Sequence, residues 1–134
     1  MTPNLAYCTN LFPAESLEDV RAAVARCAPL RARLGVATLP LGLHLSNAAT
    51  EELESAGAMD AFRESLARAG VSVVTLNAFP FGGFHGARVK ENVFRPTWED
   101  AARATYSERA CRILAQLLPE RASGAVSTHT GTFR

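Results

Sequence analysis

Four short β-like runs, Leu5 to Asn10, Leu41 to Ser46, Val71 to Asn77 and Gly124 to Thr128, alternate with amphipathic helical stretches, and this alternation limits the chain to few architectures. Strands separated by helices pair in parallel through right-handed crossovers. The expected class is therefore α/β, a partial (βα) barrel of the TIM type, with about three βα units and a fourth parallel strand. A closed eight-stranded barrel typically takes about 250 residues. The 134 residues are accordingly expected to form a single portion, 1–134, of something larger. A small open sheet is the alternative, although nothing in the sequence would cover its last strand.

Helix signals set the intervening stretches. Ser16 with Asp19 three positions on has the form of a capped start, and Leu17, Val20, Val24, Cys27 and Leu34 supply a buried face. Pro29 is expected to kink or divide that helix near Cys27. A second helical region, Ala48 to Ala69, is interrupted near Gly57, faces Leu53, Phe62 and Leu66 inward, and ends at Gly70. The last, Glu99 to Leu118, places Ala102, Tyr106, Ala110, Ile113 and Leu117 on one stripe before Pro119.

The third interval is longer than the other two by the stretch Asn77 to Trp98, NAFPFGGFHGARVKENVFRPTW. It holds four of the seven Phe, the only Trp and the only Lys, Lys90, against thirteen Arg. Connections between packed elements usually run about 4 to 6 residues, and longer ones tend to be binding loops, lids or linkers. This one is too aromatic for a disordered linker. Its glycines, Gly82, Gly83 and Gly86, match neither a P-loop nor a dinucleotide fingerprint, and are read as tight turns around Phe81 and Phe84.

Composition narrows the function. The chain is 48% hydrophobic and 20% charged with a net charge of +1, and its acidic residues lie beside the arginines, so no basic stripe awaits nucleic acid. No window approaches the roughly 18 apolar residues of a membrane span, and the N-terminus lacks a signal-peptide pattern, so a cytoplasmic location is expected. Three Cys at wide spacing suit reduced, mostly buried thiols rather than a zinc site.

Ligands of parallel α/β folds gather beyond the carboxyl ends of the strands. Here those ends are neutral and hydrogen-bonding, which suggests a polar organic ligand, with Asn10, His44, Asn77 and Thr128 lining its site. Strand alternation sets Leu41, Leu43 and Leu45 on one face and Gly42, His44 and Ser46 on the other. His44 is then either a ligand-binding group at a barrel mouth or a core histidine satisfied by one neighbour. His129 shares that geometry but lies near an end expected to fray. In the long loop, His85, Lys90 and Glu91 could supply a general base, an electrophile or phosphate clamp, and an orienting partner. A solvated turn is the structural alternative for them. No serine-hydrolase elbow, HExxH helix or close carboxylate pair is present.

The segments Tyr7-Cys8-Thr9-Asn10 with Pro13 and Glu15, Gly42-Leu43 with Leu45-Ser46, Asn77 with Phe79-Pro80, Phe84-His85-Gly86, Val89-Lys90-Glu91, Pro96, Trp98 and Ser127-Thr128 resemble, in order, the metabolite traffic proteins called EboE. Phe12 stands where that family often has His, and Thr130 where it often has Pro. The resemblance implies the N-terminal portion of a xylose isomerase-like (sugar phosphate isomerase/epimerase) TIM barrel. It also implies a small-molecule metabolite as ligand and partner proteins of a metabolite export system; separately, the open edges of the first and fourth strands lead to an expectation of self-association or poor solubility for the isolated portion. Related barrels hold a divalent metal through Glu, Asp and His of later strands. The neutral strand ends here imply no metal site within this chain, with metal dependence expected only of a full-length barrel. A non-catalytic binding or scaffold module and an inactive truncated fragment are the rival readings.

Overall fold

A computed structural model of the chain describes residues 5–83 and 92–131. Its elements are β1 (Tyr7–Cys8), a 3-10 turn (Thr9–Leu11), α1 (Leu17–Leu34), β2 (Leu39–His44), α2 (Asn47–Leu53), α3 (Ala58–Ala69), β3 (Val71–Asn77), a second 3-10 turn (Asn92–Phe94), α4 (Ala101–Leu117) and β4 (Ala125–Ser127). The four strands form one parallel sheet in the order β1-β2-β3-β4. Among the described residues the architecture is thus α/β, with four helices carrying the crossovers.

Local chemistry fixes the helix ends. Ser16 and Asp19 form a reciprocal capping box at α1, Ser46 accepts from Ala49 N at α2, and Asp100 accepts from Ala102 N at α4. Gly57 separates α2 from α3 with φ of 77°, and Gly70 ends α3 with φ of 66°, both in the left-handed region that glycine enters without penalty.

A single apolar cluster joins the inward residues of all four helices to Leu39, Leu41, Leu43 and Leu45 of the second strand segment and to Val71, Val73 and Leu76 of β3. The helices therefore cover the leucine face of the sheet. Sequential strand order with crossovers of one hand produces this one-sided cover. The opposite face carries Cys8, Gly42, His44, Thr75 and Asn77. A Cβ on Gly42 would lie 3.0 Å from Thr75 Oγ1 and 3.8 Å from Cys8 Sγ, so glycine keeps that face closely packed.

The register holds one irregularity with a large effect. Leu41 pairs with Val73 but Gly42 pairs with Thr75, leaving Val74 as an extra residue in β3. The bulge shifts the alternation, so that Leu76 joins the valines in the core while Thr75 and Asn77 turn to the face of Gly42 and His44.

Several expectations from sequence are corrected. The first strand is short, because Leu5 is 84% exposed and Thr9–Leu11 turn instead of extending. Pro29 leaves α1 undivided; it is exposed, and so is Ala25, whose carbonyl loses its helical partner to the proline ring, so water can replace that bond. Leu34 is 57% exposed although it shares a face with Cys27. The 18 residues of α1 extend about 27 Å against about 20 Å for the six of β2, so the last turn overhangs the sheet. On α4 the buried stripe begins at Arg103, and Ala102 is exposed. Only Cys27 is a buried thiol; Cys8, on the helix-free face of an edge strand, and Cys111, on the outer side of α4, are exposed.

Candidate functional site

Beyond the strands' carboxyl ends, hydrogen bonds run from one strand to the next. Thr9, buried just after β1, accepts from His44 N at 3.1 Å and donates to Gly42 O at 3.4 Å. His44 is 3% exposed, and its Nδ1 lies 3.0 Å from Asn77 O. A carbonyl can only accept, so Nδ1 bears the proton, and in the neutral ring Nε2 is left with the lone pair. Asn77 Oδ1 accepts from Ser127 Oγ and from Phe79 N, each at 3.0 Å. All four strand ends are thereby joined through side chains.

The expected ligand-binding residues fare unequally. His44 and Asn77 are brought together and bonded to each other. Asn10 lies on the turn after β1, half-buried, and its Oδ1 is shielded from solvent without a hydrogen-bond partner. Thr128 is exposed and outside the row; Ser127, one residue earlier, makes the contact with Asn77, because the last paired position of β4 is the one facing Asn77. His85, Lys90 and Glu91 lie outside the described residues. Ser46 does not line the site: its hydroxyl caps α2 and donates to Glu15 O at 2.8 Å.

The loops above the row are tied to one another. Ser46 N donates to Ala14 O at 3.3 Å and Asn47 N to Phe81 O at 2.7 Å, linking the segments that follow β1, β2 and β3. The backbone bends at Phe81 and Gly82, and neither Gly82 nor Gly83 takes a left-handed conformation; Phe84 and Gly86 lie outside the described residues. A Cβ on Gly83 would meet the carboxylate end of Glu15, an exposed side chain that can swing aside.

Two residues of α4, which sequence reasoning did not single out as functional, fix the base of the long loop. Arg103 is fully buried and donates from Nε to Pro96 O at 2.9 Å and from Nη1 to Ala78 O and Phe79 O at 3.1 Å each, so one guanidinium holds both ends of the loop. It lies over the rings of Phe81 and Tyr106 at 5.6 and 5.7 Å. Among the described residues no carboxylate pairs with it, and burial lowers its pKa. Tyr106 shares its hydroxyl proton between Leu45 O and Pro80 O, joining the end of β2 to the loop. The available signal was positional, because Arg103 is the first residue of the buried stripe continued by Tyr106, Ala110, Ile113 and Leu117.

His129 is not frayed. It is 4% exposed, both ring nitrogens lack partners, and the rings of Phe79, Phe94 and Trp98 surround it at 5.9, 5.8 and 6.3 Å. Trp98 Nε1 donates to its carbonyl at 2.9 Å, which fastens the far end of the loop to the residues after β4. Among the described residues no three His, Cys, Asp or Glu converge as a metal-binding group, and no helix is long and apolar enough to cross a membrane. Comparisons with protein-family models, with curated proteins and with solved structures find no match.

Proposed function

We propose that the chain is an EboE-like portion of a xylose isomerase-like barrel that binds a small, neutral, hydroxyl-rich metabolite at the carboxyl ends of its strands, in the service of that metabolite's processing or export. The observation that carries this reading is the row Thr9, His44, Asn77 and Ser127, which sets neutral donors and acceptors side by side on four parallel strands. Asn10, one residue on from Thr9, adds an Oδ1 acceptor that is shielded and without a partner among the described residues. Such groups match sugar-like hydroxyls, each of which both donates and accepts, better than a strongly charged ligand. His85, Lys90 and Glu91 would complete the site from the loop as base, electrophile and orienting group.

The rival docking-module reading loses one anchor, because Phe81 packs edge-on against Tyr106 at 5.2 Å and is half-buried. Binding is tested by recording amide spectra of the 134-residue chain during titration with xylose, ribose 5-phosphate and myo-inositol. Shifts at Thr9, His44, Asn77 and Ser127 that vanish in His44→Ala and Asn77→Ala are expected. Shifts confined to other surfaces, or none with any of the three, would rule the reading out.

A further inference from the structure

The outer layer contains a second candidate site, remote from the strand ends and independent of the reading above. Between α1 and α3 lies a groove of about 330 Å³ lined by Arg21, Val24, Ala25, Ala28, Ser65, Arg68 and Ala69. Its floor is apolar, because Val24 and Ala69 belong to the core and Ala28 packs against it. Its polar groups are two guanidiniums and a hydroxyl, and no carboxylate lines it.

The two arginines differ in how they are satisfied. Arg68 makes only loose contacts, with Glu64 at 3.8 Å and with Ser65 Oγ at 3.3 Å, and more than 70% of both its side chain and that of Glu64 is exposed, so the ion pair offers a competing anion little resistance. Among the described residues Arg21 has no carboxylate within ion-pair distance, and its Nε is shielded from solvent without an acceptor. Two guanidiniums beside an apolar floor, neither held in a tight ion pair among the described residues, are donors available for a charge-assisted contact.

We infer that this groove binds a small amphiphilic anion, its oxyanion head between Arg21 and Arg68 and a compact apolar body against Val24, Ala25 and Ala28. The volume lies at the lower end of ligand sites, which span about 300–1,000 Å³, and so favours a single-ring or short-chain body. The planar fork of arginine suits a carboxylate or a phosphate monoester alike, and the apolar floor distinguishes such a ligand from an inorganic ion.

Titration of the intact chain with phenyl phosphate, inorganic phosphate and benzyl alcohol, followed by amide shifts and calorimetry, tests the assignment. Phenyl phosphate is expected to shift residues 21–28 and 65–69 and to bind at least tenfold more tightly than either other probe. Arg21→Met and Arg68→Met should each weaken it tenfold or more. Ala25→Leu, at an exposed position that fills the groove without entering the core, should abolish binding while the thermal transition is kept. Arg26→Met, whose guanidinium lies over Phe12 outside the groove, should leave binding unchanged. Shifts elsewhere, equal affinity for inorganic phosphate, or indifference to Arg21→Met and Ala25→Leu in folded variants would overturn the inference.

Discussion

Replacing Tyr106 by Phe isolates the hydroxyl that ties the end of β2 to the long loop. The ring remains, and with it the edge contact to Phe81 at 5.2 Å and the filled core position. What disappears is the proton shared by Leu45 O and Pro80 O. Tyr106 is 0% exposed, so water cannot readily take its place. A buried neutral hydrogen bond contributes about 0.5–1.5 kcal/mol net, and a buried polar group left unpaired costs about 1–3 kcal/mol. With two carbonyls depending on one proton, Tyr106→Phe should cost roughly 1.5–3 kcal/mol. In urea the midpoint should fall without a change in slope, and Tm should drop by roughly 5–12 °C. The pH dependence provides an independent check. Burial pushes the Tyr106 phenol well above its usual value, and Arg103 offsets only part of that rise. The native state then keeps a proton that the unfolded chain releases, so this stabilisation is complete below about pH 10 and is lost as pH climbs toward the folded value. Above about pH 10 the wild-type chain should lose stability faster than Tyr106→Phe, by up to about 1.4 kcal/mol per pH unit. An unchanged urea midpoint, or parallel alkaline limbs for the two proteins, would refute the role given to the hydroxyl.

Thiol titration of the native chain should find two fast-reacting cysteines, Cys8 and Cys111, and one protected until unfolding, since Cys27 is 1% exposed and burial raises its pKa. Three fast thiols would contradict the packing of α1. Among the described residues β1 and β4 are paired on one side only, so sedimentation of the 134-residue chain should show concentration-dependent self-association. A monodisperse, cooperatively melting monomer would count against that outcome.

Much of the fold is legible in the sequence because its signals are local. Ser16 with Asp19, Gly57, Gly70 and the valine-rich run at 71–77 mark their boundaries through capping, left-handed backbone and β-branched residues, all of which act within a few positions. Burial departs from periodicity where it depends on what lies opposite. Leu34 keeps the right spacing but projects past the sheet, and Arg103 takes an inward position usually reserved for apolar residues because three loop carbonyls await it there. His129 follows the same logic: it is two residues beyond β4, and the rings of Phe79, Phe94 and Trp98 from the 77–98 stretch pack around it.

The candidate site shows why a neighbour's register matters as much as a residue's own pattern. Strict alternation from Val71 would put Asn77 on the same face as Val71 and Val73, against the helices, where its amide would lack partners. The bulge at Val74 reverses the phase before Asn77 is reached, and pairs it with His44 on one side and Ser127 on the other. Nothing in VSVVTLN taken alone demands that extra residue, since a bulge belongs to two strands at once. Leu76 supplies the local reason for it: with the phase reversed, Leu76 enters the core opposite Leu43 and both are almost fully buried, while the polar Thr75 and Asn77 leave it. The same apolar burial that completes the core therefore also sets Asn77 Oδ1 within reach of Ser127 and Asn77 O within reach of His44, so the polar row depends on a packing decision made on the other face of the sheet.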